Sequence, residues 1–182
     1  MIRKNISNAP QIIYEVDLNL DNQKLIETIE EHRKLYPQGE VSNVHAWMSS
    51  YKTHRINNNF DPFIEKILQA VDNVRESNPD NFCNLSKITY NVTDFWALIY
   101  DNGDYTDEHN HFPCTWALAY YAYADKDSSP IKFFFNKYKS LRIKPRSGML
   151  LLWPGSLPHS VPHTRGKRIA VSANLTVRDF VK

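Results

Sequence analysis

The chain has 182 residues, which is enough for one substantial hydrophobic core and favours a single domain over two. Its hydrophobic share of 42% and its charged share of 23% are close to the average for globular proteins, and this argues against a disordered chain or a membrane protein. The formal net charge is +2, without a basic run that would follow a phosphate backbone, so nucleic-acid binding is not expected.

The cysteines and the N-terminal residues bear on the location of the protein. Cys83 and Cys114 are far apart and match no paired metal-ligand spacing, so a reduced compartment is the simpler interpretation and a disulfide between them is the alternative. The first residues lack the apolar run of a secretory signal, and no stretch reaches membrane-spanning length. We therefore expect a cytoplasmic protein that is not embedded in a membrane.

The first half of the chain predicts one short strand and two helices. β-branched and aromatic residues over 11–16 favour the strand. Asp21 is a suitable N-cap for a helix that ends near Pro37, with an apolar stripe made of Leu25, Ile29, His32 and Tyr36. Asp61 as a cap and Pro62 at the first helical position predict a second helix, with a stripe made of Phe63, Ile67, Val71 and Val74.

The second half of the chain predicts a sheet. Residues 41–54, between the helices, fit either an exposed strand or an ordered loop. From Lys87 onward, short β-rich runs follow one another without a helical stripe; they cover 88–92, 95–100, 115–123, 131–135, 141–143, 148–153 and 169–177. This pattern predicts a mostly-β fold with flanking α-helices, a double-stranded β-helix of the jelly-roll or cupin-like kind. One domain would span residues 1–182, with a strand and two covering helices over 1–85 and the jelly-roll core over 86–182.

Three histidines are candidates for a metal site. Residues two apart on an extended chain point the same way, so Asp107, His109 and His111 are expected on one face. His159 follows an apolar run and a Pro-Gly turn, which places it at the end of a strand. Neutral imidazoles bind iron, zinc, copper and nickel, and three ligands on one face leave positions open for oxygen or substrate. Each histidine alone is more often structural, but the set of three within a β-rich scaffold favours a metal site.

Arg168 begins a strand with one polar face. Alternation in the run RIAVSANLTV places Arg168, Ser172 and Asn174 on that face. A polar face on a central strand is costly unless it lines a cavity, and an arginine there suits bidentate binding of a carboxylate. The alternative is a surface arginine on an edge strand.

Residues from about Trp96 to Asn174 resemble the 2-oxoglutarate- and iron(II)-dependent oxygenases, particularly the small prolyl-hydroxylase-like branch of bacteria and phages. The resemblance rests on HNHFPCTWALAYY, GMLLLWPGSLPHSVPH and RIAVSAN, which look like the histidine pair with its aromatic strand, the strand to the distal histidine and the closing strand. It implies Fe(II) as the metal and 2-oxoglutarate as the cosubstrate. His109 and His159 would be iron ligands, and the cosubstrate would bind at Arg168, with Ser172 and Asn174 on the same face. The implied activity is hydroxylation of an unidentified substrate, for which a protein or amino-acid side chain is a reasonable class.

The middle ligand departs from that family. Its members carry a carboxylate two residues after the first histidine, whereas this chain has His111 there. Either His111 coordinates the metal, or a carboxylate comes from Asp107, which the strand geometry favours over Glu108. The chain also resembles the cupins in the spacing from Gly103 to the His109 pair, but lacks their glutamate. A three-histidine, cupin-type dioxygenase that does not use 2-oxoglutarate is therefore one alternative, and a non-catalytic jelly-roll binding protein is another.

Overall fold

The structure is a computed structural model, and it describes residues 2–5, 12–78 and 89–178, with the backbone alone for 2–5. Gln11 and Ile88, with which two predicted strands begin, lie outside the described residues. Cys83 also lies outside them, so the choice between reduced cysteines and the alternative disulfide with Cys114 is untested.

Two antiparallel sheets make up most of the described chain. The strands are β1 (Ile2–Asn5), β2 (Ile13–Asp17), β3 (Val44–His45), β4 (Trp47–Met48), β5 (Thr89–Tyr100), β6 (Tyr105–His109), β7 (Trp116–Ala124), β8 (Ile131–Asn136), β9 (Lys139–Ile143), β10 (Met149–Pro154), β11 (His159–Val161) and β12 (Arg168–Arg178). The α-helices are α1 (Asn22–Leu35), α2 (Thr53–Ile56) and α3 (Asp61–Ser77), and a 3-10 turn covers Asn58–Phe60. The seven-stranded sheet has the order β1-β2-β10-β7-β12-β5-β4 and the five-stranded sheet the order β3-β6-β11-β8-β9.

The strand order confirms the predicted jelly roll. From β5 to β12, the chain passes repeatedly between the two sheets, and strands distant in sequence become neighbours, as β12 does between β5 and β7. The part of the chain before residue 86 also contributes strands: β1, β2 and β4 extend the larger sheet and β3 extends the smaller one. The sheets therefore reach beyond the 86–182 region in which sequence patterning located the core.

Both predicted helices are present. The Asp21 side chain accepts a hydrogen bond of 3.0 Å from the Lys24 backbone N–H, so this residue caps α1 as expected. The prediction that Asp61 caps the second helix is wrong by one residue. Because the preceding 3-10 turn runs directly into α3, Asp61 already has helical dihedral angles and Phe60 is the cap.

The larger sheet has an apolar layer on each face. Its outer face packs on the helices through the buried residues Leu25, Ile29, Phe63, Ile67, Val71, Phe95, Leu118, Leu150 and Val171. Its inner face packs on the smaller sheet through Leu98, Ala119, Phe133, Leu151 and Val161. Alternation along β10 separates the layers, since Leu150 and Leu152 face the helices while Leu151 and Trp153 face the smaller sheet. None of the described helices combines the length and apolar character needed to cross a membrane.

Several strand boundaries differ from the sequence prediction. The predicted strands 88–92 and 95–100 belong to the single long strand β5, which pairs with β12 through a register irregularity at Asn174/Leu175. The undecided segment 41–54 forms the two short strands β3 and β4. Strands β6 and β11, which the periodicity did not reveal, have only five and three residues and carry histidines at their ends.

Candidate metal centre and adjoining cavities

Three imidazoles meet between the two sheets. His109 ends β6 and His159 begins β11, and these two residues are direct cross-strand partners. His111 lies in the loop after β6, where its backbone N–H donates a hydrogen bond of 2.7 Å to the Gly155 carbonyl. One potential ligand nitrogen from each of the three rings lies within 4.8 Å of the others. The structure thus brings together the three histidines that the sequence singled out.

Backbone carbonyls orient two of these rings. His109 Nδ1 lies 2.9 Å from the Asp107 carbonyl oxygen, and His159 Nδ1 lies 3.0 Å from the Leu157 carbonyl oxygen. Since a carbonyl can only accept, each Nδ1 carries the proton and each Nε2 keeps its lone pair. His159 Nε2 lies 3.3 Å from His111 Nε2. The Nε2 atoms of these rings therefore point toward a common position. In many metal sites the second nitrogen of a ligand histidine is held by a hydrogen bond in the same way.

The three imidazoles are neutral at physiological pH. Burial lowers the pKa of His109, and burial together with the neighbouring His109 ring lowers the pKa of His111 to about 3. Burial, followed by the proximity of His109 and His111, holds the pKa of His159 well below its ordinary value. The neutral imidazole is the form that binds a metal ion, so protons compete weakly at this site.

The expectation that Asp107 shares a face with His109 is wrong. His159 lies opposite His109 but Val161 lies opposite Thr106, so β6 has one extra residue between these pairs. This bulge reverses the alternation, and Thr106 and His109 both line the inner cavity. The Asp107 carboxylate instead lies 2.8 Å from His45 Nε2 and is 58% exposed. Among the described residues, the group of potential metal ligands therefore contains no carboxylate.

A narrow cavity of about 50 Å³ extends from the histidines into the space between the sheets. Arg168 and Ser172 line it, as the alternation along β12 predicted, and Arg168 is only 1% exposed. The alternative of a surface arginine on an edge strand is therefore wrong, because β12 lies between β5 and β7. The guanidinium carbon lies 4.4 Å from the centre of the Tyr100 ring.

Buried hydrogen-bond donors without acceptors mark this inner cavity. Arg168 Nε and Nη2 and Trp153 Nε1 are buried and have no hydrogen-bond partner among the described residues. Burial raises the pKa of Tyr121 to about 12, so this phenol in the cavity wall stays neutral. Buried N–H groups that lack an acceptor are unfavourable, and more so when they belong to a cation. The inner cavity is therefore suited to an anion that brings several acceptor oxygens.

A wider cavity of about 430 Å³ adjoins the other side of the histidines. Aromatic side chains form much of its wall, namely Tyr51, Trp96 and Phe112. Asn174 lies here and not beside Arg168, and it donates a hydrogen bond of 3.1 Å to Asp94. The Asn174 side-chain oxygen is buried and has no hydrogen-bond partner in the described part of the chain. The structure thus places Arg168 and Ser172 in the inner cavity and Asn174 in the outer one.

Sequence reasoning missed a polar pair of which one member, Asp94, lines the outer cavity. Lys52 Nζ lies 2.7 Å from Asp94 Oδ1. Burial opposes ionisation of Asp94, but hydrogen bonds from Lys52 and Asn174 hold the pKa of this carboxyl below its ordinary value. No sequence signal identified the pair, because Lys52 and Asp94 are distant in the chain and neither belongs to a motif.

Comparison with solved structures places this architecture among known folds. A Pseudomonas putida prolyl-4-hydroxylase has a TM-score of 0.64 and 13% identity, over 92% of this chain and 93% of that one. A Trichoplax adhaerens prolyl hydroxylase, in complex with a hypoxia inducible factor oxygen degradation domain peptide fragment, has a TM-score of 0.64 and 17% identity, over 90% of this chain and 83% of that one. The viral collagen prolyl hydroxylase of Paramecium Bursaria Chlorella virus-1, in a complex with 2OG, has a TM-score of 0.60 and 18% identity, over 90% of this chain and 94% of that one. No protein-family model and no curated protein matches the sequence. At these identities the likeness establishes a shared fold.

Proposed function

We propose that this chain is an Fe(II)- and 2-oxoglutarate-dependent dioxygenase with a three-histidine metal centre, and that it hydroxylates a substrate bound in the outer cavity. One observation carries the proposal. The buried guanidinium of Arg168, two of whose nitrogens have no hydrogen-bond partner among the described residues, lines the same cavity as three convergent neutral imidazoles. A metal site and an anion site therefore adjoin each other in a fold that prolyl hydroxylases share.

The donor set fits Fe(II). Imidazole nitrogen is a good ligand for iron, and three ligands leave coordination positions open. His109, His111 and His159 would hold the ion, with the tautomers of the first and last already set by backbone carbonyls. Asp107 is not needed as a ligand, since its carboxylate contacts His45.

The inner cavity fits 2-oxoglutarate. Arg168 would bind the carboxylate farther from the metal, with Ser172 beside it on the same face of β12, and the Trp153 indole N–H would donate to another ligand oxygen. When bound, Fe(II) and 2-oxoglutarate supply the oxidising chemistry, while the protein supplies orientation and a site sheltered from water.

The outer cavity is the proposed substrate site. Its volume of about 430 Å³ is within the usual range for small-ligand pockets, and it borders His109 and His111. Aromatic walls and the unpaired Asn174 oxygen suit a partly apolar group that carries a hydrogen-bond donor. A protein or amino-acid side chain meets these requirements, and one of the structures with this fold is bound to a peptide fragment.

Anaerobic titration with Fe(II) and then 2-oxoglutarate tests the proposal. We expect a visible charge-transfer band that requires both additions, and oxygen-dependent formation of succinate. His159→Ala should abolish the band. His163→Ala is the matched control, because His163 is exposed and its ring bonds to the Gly103 carbonyl away from the three-histidine group. If no band forms, or if it survives in His159→Ala, the proposal is wrong.

The three-histidine ligand set also favours a second candidate, a cupin-type dioxygenase that oxidises its substrate without 2-oxoglutarate. The supporting observation is the lack of a carboxylate in the described ligand group. This candidate predicts iron binding and oxygen consumption without succinate, and no dependence on Arg168. A non-catalytic binding protein would retain metal but consume no oxygen with any substrate.

A further inference from the structure

The β8–β9 hairpin and the residues that follow it form a basic segment of the chain. Residues 131–146 contain six basic side chains and no acidic one, although the whole chain is nearly neutral. Only Arg146 of these six forms ion pairs with described residues, namely Glu15 and Asp17. Five cations have no acidic partner among the described residues, namely Lys132, Lys137, Lys139, Arg142 and Lys144.

Two of these cations lie directly opposite each other. Lys132 on β8 and Arg142 on β9 are cross-strand partners, and both lie on the face that points away from the jelly-roll interior. Like charges in this position destabilise a strand pair. Lys132 Nζ also lies 4.5 Å from the centre of the Phe134 ring, so the cation lies against an aromatic surface. A bound anionic group would relieve the repulsion between Lys132 and Arg142.

A surface cavity of about 410 Å³ lies on the β11 side of β8, away from the β9 edge. Phe134, Phe135 and Pro158 supply its apolar wall, and Glu108 and Lys137 also line it. At the hairpin turn, the Asn136 side-chain oxygen accepts hydrogen bonds from the backbone N–H groups of Tyr138 and Lys139. These bonds order the turn, in which Tyr138 is exposed. The hairpin thus offers cations and apolar surface together.

β9 is also the last strand of the smaller sheet within the described residues. It pairs with β8 on one side only, so its other edge has backbone N–H and C=O groups that can receive a further strand. Lysine and arginine along such an edge disfavour pairing with neutral or basic strands. They favour a strand that carries carboxylates. A nucleic acid could neutralise the cations but could not pair with this backbone edge.

We propose that the β8–β9 hairpin binds an extended acidic segment of a polypeptide, which adds to the free edge of β9. The carboxylates of that segment face Arg142, which lies on the edge strand β9, and its cross-strand neighbour Lys132. This site lies on the opposite side of the smaller sheet from the metal centre, because Phe133 faces the interior while Phe134 faces outward. It is therefore independent of the proposed oxygenase activity.

Fluorescence anisotropy with labelled probes tests this inference on the full chain. The probes are a short peptide of alternating Glu and Val, the same peptide with N-methyl groups at alternate positions, a Lys-Val peptide and a single-stranded RNA of equal length. We expect the Glu-Val peptide to bind best and to weaken as salt rises. The N-methylated peptide should bind at least about tenfold more weakly, because it keeps the charge but cannot complete the strand pairing.

Matched variants complete the design. Lys132→Glu combined with Arg142→Glu should weaken Glu-Val binding by about tenfold or more, since two attractive contacts become repulsive. Lys34→Glu combined with Lys66→Glu is the control, because it makes the same change of charge at exposed helix positions. Thermal unfolding checks that both variants fold. Equal binding of the N-methylated peptide, equal loss in both variants, or tighter binding of the RNA would each overturn the inference.

Discussion

Replacement of Arg168 by methionine should change stability and ligand binding in opposite directions. In the metal-free protein, Arg168 Nε and Nη2 are buried without partners, and each such atom costs about 1–3 kcal/mol. The contact with the Tyr100 ring, at 4.4 Å, offsets about 2 kcal/mol of this. Methionine fills similar space and needs no partner, so we expect the free energy of unfolding of Arg168→Met to be higher by up to about 4 kcal/mol. For a chain of this size, that is a rise in Tm of up to about 16 °C.

The same change removes the proposed carboxylate contact. A hydrogen bond to a charged group contributes about 1.5–3 kcal/mol, so loss of a bidentate pair should weaken 2-oxoglutarate binding by about 100-fold or more. Iron affinity should change little, because the guanidinium is separate from the three imidazoles.

Thermal unfolding of the metal-free protein and 2-oxoglutarate titration of the Fe(II) form measure the two effects. Arg146→Met is the control, since Arg146 is 42% exposed and pairs with Glu15; its loss should lower stability by at most about 1 kcal/mol. A less stable Arg168→Met protein that still binds 2-oxoglutarate normally would refute the reasoning.

The remaining predictions concern the metal ligands and the indole donor. His111→Ala should lower iron content, whereas His111→Asp should retain it, because a carboxylate can take the same position; equal iron content in both variants would show that His111 is not a ligand. Trp153→Phe should weaken 2-oxoglutarate binding by about tenfold and leave the iron affinity unchanged. Trp116→Phe should leave 2-oxoglutarate binding unchanged, because the hydrogen bond that it removes, from the indole N–H to the Tyr90 hydroxyl, lies away from the cavity. Burial lowers the folded-state pKa of His109, His111 and His159, the second to about 3. Below pH 6.5 the unfolded chain therefore binds more protons than the folded chain. Urea unfolding of the metal-free protein should show that the free energy of unfolding decreases as the pH is lowered, by up to about 1.4 kcal/mol per pH unit for each of these histidines. A flat profile between pH 7 and pH 5 would contradict this.

Local patterning predicted the features that depend on neighbouring residues. Alternation along β12 placed Arg168 and Ser172 on one polar face, because side chains of a regular strand alternate whatever surrounds it. The capping residue Asp21 was correct for a similar reason, since a helix start depends on hydrogen bonds within one turn. Leu25, Ile29 and His32 of the predicted α1 stripe are buried, whereas Tyr36 lies just past the helix and is exposed. The predicted jelly roll followed from many short β-rich runs.

Tertiary structure decided where those faces meet. The bulge between β6 and β11 turns Asp107 away from the histidines, and this depends on pairing between strands about fifty residues apart. Whether Arg168 was buried depended on the position of β12 between β5 and β7, which no property of its own residues specifies. Strand pairing over long separations depends on the whole sheet. Local sequence therefore identified the candidate residues, while the assembled sheets brought His111, and not Asp107, beside His109 and His159 and separated Asn174 from Arg168.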